Sequence, residues 1–464
     1  MAFLPRRSLV LPFISLVVGC TSSTPDPSAP TDSGTVDTGT TDAPVADECP
    51  APTGPGTKHA GNAIKADETW TAAGSPHVVT FGQQVTAGAT LTIEPCAVVR
   101  VQAGYKLVFE NGGKLVANGT AQKPIRFVAD DPAKPWGALS VFAPSTLKLA
   151  YTTLENGGDE PSSVYGAIDV RGDQLLAVQE LLSVDHVTIK GSANYGVSLR
   201  AGAGFTKDSH DLVVTGSKKA PIRLLPRLAS NLPTGSYAGN GEDWFAVETE
   251  AYGNVTLEDV TFHDRGVPYR VGSASTSGEL RVGGDKAAVT LTLEPGVVLQ
   301  FVKNEAAGLF VDPGTSAVPA VGSLVAIGTA AKPIVFTSAE TTKVAGAWRG
   351  LVFGNLPNAK NRLEHVRIEF AGGPSRANSF HCDPSGGGAF SKDEDAAFAV
   401  FGQPTAAFLK DSEIADSASL GVNLAYSGDA VDFLPTNTFT RIATCKQSTP
   451  RSKTGACPST VPCP

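Results

Sequence analysis

Leu115-Val-Ala-Asn-Gly-Thr-Ala-Gln-Lys-Pro-Ile-Arg-Phe127 returns later in the chain as Leu324-Val-Ala-Ile-Gly-Thr-Ala-Ala-Lys-Pro-Ile-Val-Phe336. Other landmarks recur around it in the same order. Thr90-Leu-Thr-Ile-Glu-Pro95 returns as Thr290-Leu-Thr-Leu-Glu-Pro295, Trp136 as Trp348, and Gly157-Gly158 as Gly372-Gly373. Upstream, Asp67-Glu-Thr-Trp70 with Gly74-Ser-Pro76 matches Asp259-Val-Thr-Phe262 with Gly266-Val-Pro268. The offset grows from 192 at Asp67 and Asp259 to 215 at Gly157 and Gly372. Short insertions between fixed landmarks produce such a drift, so the insertions are loops on a regular core.

A shorter unit lies inside each copy. Leu257-Glu-Asp-Val-Thr-Phe262, Leu363-Glu-His-Val-Arg-Ile368, Val184-Asp-His-Val-Thr-Ile189 and Leu409-Lys-Asp-Ser-Glu-Ile414 share one pattern. Each has apolar residues on alternate or paired positions, followed by turn residues, which reads as a half-buried strand. Helical periodicity is weak, and its best stretch, Gln174 to Leu182, is short and uncapped. Strands of five to seven residues at a period of about 20–30 predict an all-β solenoid. At about 25 residues per coil, roughly 15 coils make a rod of about 70 Å. Inward Leu, Ile, Val and Phe side chains then stack on their equivalents one coil away.

The run Leu-Thr-Ile-Glu-Pro, then Gly-x-Leu-x-Ala-x-Gly-Thr-Ala-x-Lys-Pro-Ile-x-Phe, then Trp-x-x-Leu resembles bacterial right-handed parallel β-helix proteins. These are the non-catalytic members of the pectate-lyase-like superfamily fold. The resemblance covers about residues 67–445 in two copies. It implies a single-stranded right-handed parallel β-helix in which both copies form one rod. It is specific for fold and silent on activity.

The N-terminus reads as an export signal. Arg6 and Arg7 precede the apolar stretch Leu9–Val18, which is too short to span a bilayer. Leu16-Val-Val-Gly-Cys20 ends it and resembles the lipobox of bacterial lipoproteins. The resemblance implies that Cys20 is the lipid-attachment site and, with Thr21 next to it, that the protein sits in the outer membrane, periplasmic or surface-exposed. The chain thus divides into a signal peptide with lipobox (1–20), a flexible Thr/Ser/Pro/Asp-rich tether (21–60), a first β-helix copy (61–258), a second copy (259–445) and an irregular Cys-containing tail (446–464). Residues 21–48 hold almost no large apolar side chains, so they cannot offset their ordering entropy.

Seven cysteines are present. With Cys20 assigned to lipid, Cys49, Cys96, Cys382, Cys445, Cys457 and Cys463 remain, an even number that favours disulfides in an exported chain. Six cysteines allow about 15 connectivities. We expect Cys49–Cys96, Cys382–Cys445 and Cys457–Cys463. Cys96 stands where the second copy has Gly296, and a bridge to Cys49 would clamp the N-terminal cap. Removing Arg6 and Arg7 leaves 35 basic against 45 acidic residues, a charge that disfavours nucleic acid and anionic membranes as partners. The expected membrane contact is the lipid anchor alone.

Chemistry-bearing residues are sparse. No HExxH, HxH, CxxC, GxSxG, GxGxxG or Walker pattern occurs, and no cofactor is expected. Asp185-His186 is the one catalytic candidate, because β-helix lyases carry such pairs on strands. Glu364-His365 and Asp259 read as equivalent positions, which favours an outward polar site. No metal site is expected, with Asp383, Asp393 and Asp395 as calcium candidates. The acidic pairs Asp130-Asp131, Asp159-Glu160 and Glu242-Asp243 read as solvated loops. Trp136 and Trp348 are either sugar platforms or packing residues, and their recurrence favours packing.

Two functions follow as expectations. The first is a cell-envelope lipoprotein acting as a non-catalytic binding or scaffold protein, its partner a polysaccharide or an envelope protein. The second is a polysaccharide lyase or glycoside hydrolase of β-helix fold. A lateral groove with converging carboxylates and cations marks the enzyme. Polar residues spread without convergence mark the scaffold.

Overall fold

The computed structural model describes residues 48–159, 165–173, 177–249, 254–255, 258–273, 276, 278–283, 288–304, 307–311, 322–354, 357–374, 395–450 and 463–464. Alternation sets its elements. In Thr90–Ile93 and Lys114–Asn118 every second side chain is buried, as a strand with one face on a core requires. These two strands pair in parallel, and Lys114–Asn118 pairs onward with Thr146–Glu155. Leu91, Leu115, Leu147 and Leu182 therefore stand in one inward column, none more than 1% exposed. Each such leucine contributes roughly 1.5–3 kcal/mol by leaving water.

The internal repeat survives in three dimensions. Trp70, Ile93, Ala117 and Leu149 form a second inward column. Its counterpart in the second copy is Phe262, Leu293, Ala326 and Leu363. The outward column Thr69, Thr92, Val116, Lys148 is matched by Thr261, Thr292, Val325, Arg362. Even the side-chain braces match: Asp67 accepts from the Thr90 N–H at 2.8 Å, and Asp259 from the Thr290 N–H at 2.7 Å.

The protein is all-β, with parallel pairing between its strands, but among the described residues the strands form four sheets of 12, 13, 5 and 5 strands. The junction between the copies explains the division. The 13-stranded sheet takes the third strand of each first-copy turn and then the middle strand of each second-copy turn. Phe245–Val247, at the end of the first copy, pairs with Tyr269–Val271 of the second. Equivalent middle sheets of the two copies are thus not in line. The 12-stranded sheet fuses two faces, because Thr146–Glu155 and Gln179–Lys190 are long enough to run through a corner. Turn length also varies more than expected. Thr57 pairs with His77, 20 residues on, whereas Leu363 pairs with Leu409, 46 on. The weak helical stretch Gln174 to Leu182 is strand from Gln179 to Leu182, and residues 174–176 lie outside the described set. The described helices are two 3-10 segments, Ala72–Gly74 and Pro226–Asn231. Gly235 holds its strand against Leu212 at φ 147, where a Cβ would come within 1.9 Å of the Leu212 carbonyl oxygen.

Cys49–Cys96 forms as expected. The other two pairings are corrected, because Cys445 bonds Cys463. That bridge excludes both Cys382–Cys445 and Cys457–Cys463; Cys382 and Cys457 lie outside the described residues. The tail after Cys445 first extends the sheet. Gly421 and Val422 donate to the carbonyls of Cys445 and Lys446, and Ser448 donates back to Val422.

At the other end, His59, Trp70 and His77 stack on one another, His59 on Trp70 at 3.9 Å between centroids. His77 Nε2–H donates to the Thr71 carbonyl, which leaves Nδ1 as an acceptor for His59 Nε2–H at 3.0 Å. Burial lowers the His59 pKa to about 4, helped by His77, and burial also lowers His77. A protonated His77 would turn its acceptor nitrogen into a donor facing another donor. Above pH 6.5 folded and unfolded chains are both neutral here. Between 6.5 and about 4 the unfolded chain takes up a proton that the folded one refuses, so stability falls as pH falls through that window. After discounting for partial exposure, the expected loss is on the order of 1 kcal/mol. Urea midpoints at pH 7 and pH 5 check this, with His59→Gln expected to flatten the difference.

Candidate functional site

One corner of the fold recurs in every turn that carries the candidate residues. There the chain passes from one face to the next through a residue with left-handed backbone. Tyr151, His186 and Asp211 occupy it in successive first-copy turns at φ 43, 52 and 52, and His365 and Asp411 in the second copy at φ 50 and 49. This conformation costs an L-residue roughly 1–2 kcal/mol, and Asp, Asn and His are enriched in it. The corner therefore selects polar side chains before any function does.

Pairing then brings two turns together. Asp185 is in register with His210, so the pair Asp185-His186 lies directly beside His210-Asp211. Asp185 Oδ1 accepts from His186 Nδ1 at 2.5 Å, and the Tyr151 ring stacks on His186 at 4.5 Å. His186 Nε2 lies 3.6 Å from Asp211 Oδ2. His210 Nδ1 lies 3.2 Å from that oxygen and 3.4 Å from Asp185 Oδ1. The four side chains are 42–51% exposed. Sequence reading singled out Asp185 and His186 and missed their partners. The signal was the pairing register: His210 follows Asp185 by 25 residues and pairs with it, a spacing no linear motif encodes.

The second copy places a different set at the same corner. Glu364 pairs with Lys410, so Glu364-His365 lies beside Lys410-Asp411. Arg362 grips Glu364 through two hydrogen bonds of 2.7 and 3.0 Å. The pair holds the Glu364 carboxyl below its ordinary range and the Arg362 guanidinium above its own. A cavity of about 260 Å³ opens beside it, with Asn358, Lys360, Arg362, Glu364, Phe408 and Lys410 in its wall. Asp259 is not at this corner. Val260 is in register with Leu291, which puts Asp259 opposite Thr290, a full strand before the turn. The residue in register with Glu364 is His263, whose ring bonds Glu294 at 2.8 Å and the Ser230 carbonyl.

The remaining candidates hold structure. Trp136 and Trp348 are 0% and 1% exposed, and their Nε1–H groups donate to the carbonyls of Glu155 and Glu369. Neither can stack on a sugar. Asp131 accepts from the Ala133 N–H and pairs with Lys134, and these contacts lower its pKa. Asp243 accepts from the N–H groups of Gly239 and Asn240. Asp395 is 7% exposed and acts electrostatically on buried Arg349 rather than on solvent. Asp383 and Asp393 lie outside the described residues. One buried pair went unforeseen: Asp169 bonds Arg200 at 3.0 and 2.6 Å, under a guanidinium that also covers Tyr165. Desolvation raises the Asp169 pKa against the pull of Arg200, which marks an element of packing rather than a solvent-facing acid.

No protein-family model matches the chain, and neither a curated protein nor a solved structure matches it.

Proposed function

We propose that this protein is a cell-envelope lipoprotein that binds an acidic polysaccharide, without cleaving it, on the side of one right-handed parallel β-helix. Cys20 carries the lipid, residues after it form the tether, and the outer membrane holds the anchor. The Cys49–Cys96 and Cys445–Cys463 bridges support an oxidising, extracytoplasmic setting. The observation that carries the binding reading is the second-copy cavity, where Lys360, Arg362 and Lys410 line one opening. In a chain with a net charge of −8, Lys360 and Lys410 leave this opening net positive even after Glu364 offsets Arg362. An extended polyanion suits that opening because neighbouring turns repeat every ~4.8 Å along the same side.

The enzyme reading has one specific support, the convergence of Asp185, His186, His210 and Asp211. A single experiment separates the two. Acidic and neutral polysaccharides are offered to the purified body, and binding, unsaturated products and new reducing ends are measured together. The expected result is retention of acidic polymers with no product. Reversing Lys360 and Lys410 to Glu is expected to weaken binding about tenfold per charge. Product formation would replace the proposal with a lyase or hydrolase. Binding unaffected by the reversals would move the site or point to a protein partner. Cys20→Ala is expected to shift the protein from the membrane to the soluble fraction, since the anchor is the lipid.

A further inference from the structure

We propose that the first-copy corner binds one divalent transition-metal ion of the zinc type, between the turns that carry Asp185-His186 and His210-Asp211. Asp185, His186 and His210 each have one ligand-type atom within 4.8 Å of the others. Asp211 supplies the ligating carboxylate, 3.2 Å from His210 Nδ1 and 3.6 Å from His186 Nε2, while Asp185 stands behind His186. Neighbouring ligands around a tetrahedral ion with bonds of about 2.0–2.1 Å are separated by roughly 3.4 Å. The 3.6 Å gap between His186 Nε2 and Asp211 Oδ2 is already close to that separation.

The ring orientations serve the same end. By accepting a hydrogen bond from His186 Nδ1–H, Asp185 keeps the proton on Nδ1 and leaves the lone pair on Nε2, the atom that faces Asp211. A carboxylate behind a ligating imidazole is the usual outer-shell partner at zinc, fixing tautomer and ring angle. Tyr151 flattens the same ring from the turn below. Partial exposure gives an ion access from solvent and lets the side chains adjust to its radius. Two imidazoles with carboxylates suit zinc and its transition-metal neighbours, whereas calcium takes six to eight oxygens.

The second copy contains its own control. Glu364, His365 and Asp411 keep the corner, but Lys410 stands where His210 does and Arg362 occupies Glu364. An ammonium beside the position repels a cation, so only the first-copy corner binds.

The test uses tag-free oxidised protein, equilibrated with Zn(II) or Ca(II), desalted, and assayed for bound metal and by calorimetry. One equivalent of zinc and no retained calcium are expected. His186→Ala and His210→Ala should each abolish the retained equivalent, and His210→Gln should do so while keeping side-chain volume. Asp185→Asn should weaken binding about 10–100-fold through ring orientation. His365→Ala should change nothing. Circular dichroism and urea midpoints show whether each variant is folded, and the four side chains are exposed enough for replacement to leave the strands intact. Wild-type protein that retains no zinc overturns the proposal. So does zinc that persists in folded His210→Gln, or zinc lost on His365→Ala. Because polysaccharide binding is assigned to the second copy, His210→Gln is expected to leave it unchanged, and the two proposals fail separately.

Discussion

Trp136→Ala and Trp348→Ala should each cost about 3–5 kcal/mol, among the largest single-site losses the fold offers. Each indole is buried, and Trp348 lies flat on Phe301 with centroids 4.4 Å apart. Truncation leaves a cavity that strands on both sides cannot close, because their spacing is set by the sheet ladder. It also strands the carbonyl of Glu155 or Glu369, which now accepts the indole N–H. Trp→Phe separates the two parts. It retains most of the volume and loses the bond, for about 1–3 kcal/mol. Urea midpoints measure both, and the pair should respond alike because the two residues do the same task in the two copies. Polysaccharide affinity in the folded Trp→Phe variants should be unchanged. A collapse of affinity with little change in midpoint would mean that the rings face a ligand.

The parallel order was legible because apolar side chains must stack on apolar side chains. Leu115 and Leu324 head matched segments, and each does stand in an inward column of its own copy. Matched Trp136 and Trp348 were legible as packing for the same reason. Turn length was not, since an outward loop of any size leaves the inward column intact. Errors followed from that freedom. Asp259 was aligned with His365 by a local pattern, yet it precedes the corner by a strand. The shift of sheets at Phe245–Val247 and Tyr269–Val271 left no mark in the landmarks, which kept their order. His210 joined Asp185 only once their register was known. Cysteine pairing failed at Cys445 because bridges depend on where a tail returns, not on which cysteines are near in sequence.

Cutting the Cys49–Cys96 bridge should loosen the N-terminal turns selectively, and the choice of substitution decides what is measured. The bridge closes a separation of 47 residues, for which the chain-entropy model gives about 4 kcal/mol of unfolded-state restriction. Cys96 sits at φ 69, and its counterpart Gly296 at φ 94. Serine or alanine at 96 would keep the strain of a left-handed residue while losing the bond that holds it. Cys96→Gly removes both, as the second copy already does, and returns part of the loss, roughly 1–2 kcal/mol. Cys49→Ser with Cys96→Gly therefore isolates the cross-link itself. Because the strands pair in parallel ladders with their immediate neighbours, the effect should stay local. Amides of Thr57–His59, and of His77–Val79 with which they pair, should exchange faster by an order of magnitude or more. Amides of Leu420–Leu424, at the far end of the array, should keep their protection. Equal protection at both ends in the bridged and unbridged proteins would mean that the His59, Trp70 and His77 stack caps the array without help from the disulfide.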